Sequence, residues 1–237
     1  NTAFRVHLYD LEGQTIAGYP SELQPKATLG LHLIDFTQSG RYHYFLACEN
    51  GSIYGYDLEG NSLEGWSPKD SIGTNITCIQ HFQNSERDFI IVAADSSIQV
   101  YNRLGDLRFP IYTDTTIWNA PIAFQADSEF PRIVATDNRN RVHILNLEGT
   151  HFKLGLKKPL SPNFKFLFSD VWGDERKDYI YLNNNRLQVY AYNEDNKFGL
   201  RSEVKLEHSQ DTIFEVQYQG KNWIGMVSKS ASRVNLY

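Results

Sequence analysis

Positive charge, cysteine and long apolar runs are all scarce in this sequence, and each shortage removes a class of protein. Lysine and arginine total 23 against 28 aspartate and glutamate, a formal charge of −5. The diffuse basic field that a phosphate backbone selects is missing, so nucleic acid is not an expected partner. No polybasic run offers itself to an anionic membrane surface. No apolar stretch approaches the roughly 18 residues of a spanning helix, which argues against direct membrane insertion. The two cysteines, Cys48 and Cys78, fit no metal-ligand spacing. They fall on predicted strands and read as small buried hydrophobes, while spacing alone leaves a disulfide between them open. There is no Gly-x-Ser-x-Gly elbow, no phosphate-binding glycine loop with lysine and no His-Glu-x-x-His zinc helix. No signal peptide is visible, and Asn1-Thr2-Ala3-Phe4 is an unusual start, so a mature form or a piece of a longer chain is expected.

What is abundant is aromatic. Tyrosine and phenylalanine number 14 each beside 4 tryptophans, a composition that favours strands over helices. No segment carries a convincing helical pattern. Length alone does not choose between one large domain and two small ones, but a repeat does. Arg5-Val6-His7-Leu8-Tyr9-Asp10-Leu11-Glu12-Gly13 returns as Ser52-Ile53-Tyr54-Gly55-Tyr56-Asp57-Leu58-Glu59-Gly60. It recurs from Ser97 to Gly105 and from Arg141 to Gly149, then in shorter form at Arg186 to Tyr190 and Arg233 to Tyr237. The marker residue stands at 9, 56, 101, 145, 190 and 237, a step of about 45 residues.

Each period holds four short apolar runs separated by turn residues, the signature of strands. In the first, Leu29, Leu31 and Leu33 alternate, Tyr42 to Cys48 follows, and Ser52 to Tyr56 and Ser62 to Trp66 complete the set across glycine-bearing turns. A four-stranded antiparallel sheet of this size has two apolar faces and needs neighbours on both; radial stacking supplies them. The predicted fold is an all-β propeller of four-stranded antiparallel blades. Its expected divisions are a partial blade over 1–28, blades over 29–75, 76–120, 121–163 and 164–211, and a partial blade over 212–237. The chain opens and closes on third strands, which predicts an incomplete portion of a six- to eight-bladed ring; five units closed with a surplus strand is the competing arrangement.

The Leu-Glu-Gly-Asn turn, the Gly-Trp or Gly-Tyr ending and the nearby proline, as in Gly18-Tyr19-Pro20 and Gly65-Trp66-Ser67-Pro68, resemble propellers of the FG-GAP and VCBS type, related to the integrin α-subunit head. Asp170-Val171-Trp172-Gly173-Asp174-Glu175-Arg176-Lys177-Asp178 adds to that likeness. The resemblance implies calcium between the first two strands and an extracytoplasmic location (periplasm, cell surface or secreted). Calcium takes six to eight oxygens. Asp170, Asp174 and Asp178 match three ligand positions, but Trp172 and Glu175 replace two expected residues, so a polar turn bonded to its own amides is the preferred reading. Quinoprotein-like propellers are a second resemblance, without a motif for the quinone. No cofactor is expected, with calcium the exception to test.

Repeat position also disciplines the choice of chemistry. His7 and His143 share a slot filled elsewhere by Tyr54, Gln99, Gln188 and Asn235, so they read as structural. His32, His43, His81, His151 and His208 follow no fixed spacing. Glu12, Glu59 and Glu148 recur at hairpin tips and read as solvated. The longest loops, 111–120 and 155–163, join fourth strands to first strands, and loops on a rigid scaffold are where binding concentrates. Tyr112, Trp118, Lys157 and Lys158 are the candidate contact residues there, against the preferred alternative that the two aromatics pack between sheets. The expected function is a non-catalytic binding or scaffolding propeller that meets a protein or carbohydrate partner through loops on one face. The alternative is a hydrolase or lyase with its site at the central channel.

Overall fold

The computed structural model describes residues 5–19, 21–22, 25–69, 72–73, 75–84, 87–95, 97–109, 112–113, 118–125, 131–137, 141–153, 164–193 and 197–236. These form antiparallel sheets in chain order, with no helix among them. The first pairs β1 (Arg5–Val6) with β2 (Ser21–Glu22). The second holds β3 (His32–Ile34), β4 (His43–Ala47) and β5 (Ile53–Asp57). The third is β6 (Cys78–Asn84), β7 (Arg87–Ala94), β8 (Ser97–Tyr101) and β9 (Tyr112–Thr113). Next come β10 (Trp118–Gln125), β11 (Arg132–Asp137), β12 (Val142–Asn146) and β13 (His151–Lys153). The fifth sheet is β14 (Lys165–Ser169), β15 (Asp178–Asn183), β16 (Arg186–Tyr192) and β17 (Phe198–Lys205). The sixth is β18 (Thr212–Tyr218), β19 (Lys221–Ser228) and β20 (Arg233–Leu236). Strand order equals sequence order in every sheet, and first strands lie side by side, β6 against β3 and β10, and β14 against β18.

The two-residue period of the second strands sorts their side chains between two cores. On β7, Ile90, Val92 and Ala94 pack with Phe45, Ala47 and Trp66 of the preceding sheet. Phe89, Ile91 and Ala93, on the other face of β7, pack with Phe124, Ile133 and Leu145 of the following one. Tyr179 and Tyr181 on β15 face back to Val134 and Ile144, while Ile180 and Leu182 face forward to Ile224 and Met226. The middle of each of these second strands is therefore a continuous apolar run, because both of its faces are interior. Cys48 and Cys78 are buried free thiols, and burial pushes both up to about 11.

A side-chain device repeats at the third-to-fourth turn. Asp10, Asp57, Asn102, Asn146 and Asn193 each accept, at Oδ1, the amide four residues on, at 2.7, 2.7, 2.9, 2.7 and 2.8 Å. An Asx side chain that mimics a backbone acceptor holds the tight turn closed. Glu12, Glu59 and Glu148 are exposed at these tips.

The fourth strand of the first three sheets is broken. It bridges its neighbour once near the turn, at Thr15, Ser62 and Leu107, and again at Ser21, Lys69 and Tyr112. The interruption tucks one aromatic against the turn of the next sheet. Tyr19 donates from its hydroxyl to Tyr44 Oη at 2.9 Å and to the Leu58 carbonyl at 3.4 Å. Trp66, fully buried, donates from Nε1 to the Arg103 carbonyl at 2.9 Å. Leu58 and Arg103 occupy the same repeat position, one after the Asx residue. Phe109 lies against Gly149 of the following turn, where a Cβ would fall 2.6 Å from its ring. These aromatic latches join blade to blade. They also require glycine at 65 and 105: each has a φ of +77°, and a Cβ on either would overlap backbone of the other's segment.

Candidate binding site

In an up-and-down antiparallel sheet the first-to-second and third-to-fourth connections emerge at one end. Because the first strands lie side by side, these turns from successive blades gather on one face. That face carries exposed aromatics at three first-to-second connections: Tyr42 at 45%, Trp172 at 54% and Tyr218 at 62% exposure. Leu104 and Leu107 are exposed beside the third-to-fourth turn of the third sheet.

Between them lies a cluster built on the β6–β7 hairpin. Asp88 is buried, with His81 Nε2 2.9 Å from its Oδ1 and the Arg103 guanidinium 2.6 Å from its Oδ2. The Arg108 Nε donates to the Asp88 carbonyl. Phe36 of the preceding blade stands edge-on to His81, ring centroids 5.3 Å apart. Gln83 Nε2 donates to the Phe36 carbonyl at 3.2 Å, so the two blades are stitched together here.

The loop 170–178 is on the same face, and the structure brings Asp170, Asp174 and Asp178 into one turn. Asp170 Oδ1 accepts the amides of Gly173 at 2.6 Å and Asp174 at 3.3 Å, and its Oδ2 accepts that of Glu175 at 2.9 Å. Asp174 Oδ1 accepts the Arg176 amide at 3.1 Å, and Asp178 Oδ2 the Val171 amide at 3.1 Å. Burial pushes the Asp178 carboxyl up to about 7; the Val171 hydrogen bond opposes this, and the charges of Asp174 and Asp170 add to it. The amide bonding is that of a polar turn, and among the described residues no three carboxylate, histidine or cysteine side chains converge as a metal site.

The opposite face holds a second polar cluster. Asp137, buried, accepts from Arg141 Nε at 2.7 Å and lies 2.9 Å from His143 Nε2. His143 Nδ1 is 3.1 Å from His151 Nε2. The repeat-slot reading of His143 thus corresponds to a buried ring bonded on both nitrogens. His7 lies beside Tyr9, whose hydroxyl is 3.4 Å from its Nδ1.

Of the contact residues expected from the long loops, the structure describes the backbone of Tyr112 and Trp118. Tyr112 is in β9, paired with Ile98, and Trp118 opens β10, paired with Asp137, so both sit on strands. Their side chains, and all of Lys157 and Lys158, lie outside the described residues. Sequence reasoning passed over Arg87, Arg103, Arg108, Tyr42 and Tyr218. The available signal was topological: all five are at hairpin ends that the strand order sends to one face.

No protein-family model matches the sequence, and no curated protein is significantly similar to it. Solved structures do match by shape. The Dos1 propeller is 11% identical over 98% of this chain and 62% of its own, with a TM-score of 0.62. Virginiamycin B lyase from Staphylococcus aureus is 14% identical over 88% of this chain and 73% of its own, with a TM-score of 0.50. BamB from Moraxella catarrhalis is 10% identical over 100% and 79%, with a TM-score of 0.47. At such identities the likeness to the Dos1 propeller and to virginiamycin B lyase speaks for the fold alone, and that fold is the β-propeller of four-stranded antiparallel blades built above.

Proposed function

We propose that this chain is a non-catalytic binding or scaffolding propeller that contacts a partner through the loops of one face, the face of the first-to-second and third-to-fourth turns. One observation carries the reading: Tyr42, Trp172 and Tyr218 stand exposed at the first-to-second connections of the second, fifth and sixth sheets, with Arg87 and Arg103 on the third. Aromatic and arginine side chains are the residues that protein interfaces concentrate. The partner is a protein or a carbohydrate, and the arginines on this face favour the protein. An FG-GAP-like or quinoprotein-like lineage and an extracytoplasmic location accompany the proposal on the strength of the turn residues quoted above. It calls for no cofactor.

The test is affinity capture from the source's own extract, with the wild-type chain and with a variant carrying Tyr42→Ser, Trp172→Ser and Tyr218→Ser. Recovery of one protein by the wild type and its loss with the variant is expected. Equal recovery by both would move the interface elsewhere. Hydrolytic or lyase turnover by the purified chain, abolished by changes at channel-facing polar residues, would replace the binding reading with the enzymatic one.

A further inference from the structure

Three arginines gather at one point of the turn face, in a chain that is acidic overall. Arg87 opens β7, Arg103 sits in the 102–106 turn, and Arg108 follows it. The Arg108 Cζ is 4.6 Å and the Arg87 Cζ 5.9 Å from the centroid of the Phe89 ring, so two guanidiniums share one aromatic surface. The Arg103 Cζ is 5.9 Å from the Phe36 centroid. Phe36 and Phe89 are buried, which fixes both platforms.

Among the described residues one carboxylate is paired within this group, and it is already committed: Asp88 gives Oδ1 to His81 and Oδ2 to Arg103. Arg108 uses its Nε on a backbone carbonyl and makes no ion pair among the described residues. Arg87 makes a ring contact and no hydrogen bond or ion pair among the described residues. Burial, and then the charge of Arg87, push the Arg108 guanidinium below its ordinary value; Asp88 opposes and Arg103 adds. Among the described residues, two forked donors therefore stand side by side with no carboxylate paired to either, held on rings rather than swinging in solvent.

Guanidinium forks match carboxylate and phosphate oxygens in pairs. The surroundings choose between ligands. Leu104 and Leu107 are exposed beside the arginines, at 56% and 43%, which favours a ligand with aliphatic as well as anionic groups. A nucleic acid would meet an acidic molecule beyond these few cations. We propose that Arg87, Arg103 and Arg108 form a receptor for the carboxylates of an acidic, aliphatic segment of a protein partner, an assignment that rests on the binding reading above for the partner's being a protein.

The experiment is calorimetric titration of the whole chain with an end-blocked peptide of alternating glutamate and leucine, its glutamine and leucine counterpart, and inorganic phosphate. The glutamate peptide should bind, and more weakly as salt rises. Its affinity should fall at least about tenfold in the pair Arg87→Gln with Arg108→Gln, as expected for loss of charge-assisted hydrogen bonds. The pair Arg87→Lys with Arg108→Lys, which keeps the charge and loses the fork, should fall between. An unchanged melting temperature shows that a loss is not unfolding, and should the glutamine pair unfold, the lysine pair decides. Absence of glutamate-peptide binding to wild type, equal binding of the glutamine peptide, or equal affinity in the variants would overturn the receptor. Phosphate binding without peptide binding would do so too, in favour of a small-anion site. The serine variants that test the binding reading leave all three arginines in place, so capture and titration can fail separately.

Discussion

Gly13, Gly60 and Gly105 occupy one position of the repeated turn, three residues after the Asx residue, and their φ values are +79°, +85° and +77°. Alanine at any of them meets the same left-handed penalty, about 1–2 kcal/mol. Their surroundings differ. Nothing lies within 4 Å of a Cβ at 13, and at 60 the nearest atom is the Tyr19 hydroxyl oxygen at an ordinary 3.8 Å. At 105 a Cβ would overlap the Gly65 carbonyl, backbone that cannot rotate away. The fourth-strand segment would have to retreat, loosening the Trp66 hydrogen bond to the Arg103 carbonyl and the packing of a fully buried indole. Overpacking of this kind adds about 1–3 kcal/mol, and the lost hydrogen bond about 1 kcal/mol. Gly13→Ala and Gly60→Ala should therefore each cost about 1–2 kcal/mol, and Gly105→Ala about 3–6 kcal/mol. Urea unfolding with fitted midpoints and slopes measures the series. Three equal losses would refute the latch as the reason for glycine at this turn.

Trp66→Phe keeps an aromatic in the latch and deletes the Nε1 donor, leaving the Arg103 carbonyl without that partner, and should cost about 1–3 kcal/mol in the same unfolding assay. Asp178, with its carboxyl raised to about 7 chiefly by burial, binds its proton more tightly folded than unfolded. Its contribution is present below the unfolded value of 3.8 and is lost as pH rises towards 7, so wild-type stability should decline over that window. Asp178→Asn, which keeps an acceptor for the Val171 amide, should flatten the decline, as thermal melts across pH 4 to 8 would show. Chelation at neutral pH should leave the melting temperature unchanged if the 170–178 loop is held by its own amides; a drop reversed by added calcium would restore the metal reading.

The strand repeat was legible because a blade buries both faces, so apolar residues recur wherever a second or third strand recurs, and the glycine turns mark the hairpins between them. The latch was half legible: Gly18-Tyr19-Pro20 and Gly65-Trp66 stood out as markers, but a sequence does not say that Trp66 bonds to a carbonyl 37 residues away in the next blade. On sequence the segment 111–120 is one of the longest connections of the repeat and reads as a loop; pairing with Ile98 and Asp137 makes Tyr112 and Trp118 strand residues. The Asx residue stands directly after the marker in four repeats, at Asp10, Asp57, Asn102 and Asn146, yet its role as acceptor for the amide four residues on depends on backbone geometry.

By itself the sequence determined the all-β class, the four-strand unit and its period, since each of these follows from residue type and spacing along the chain. Tertiary structure alone decided which residues meet. It placed Arg87, Arg103 and Arg108 around Asp88 and two buried rings from neighbouring blades. The physical reason is that a binding face is assembled from the ends of separate hairpins, whose relation is set by how sheets stack and not by any local pattern.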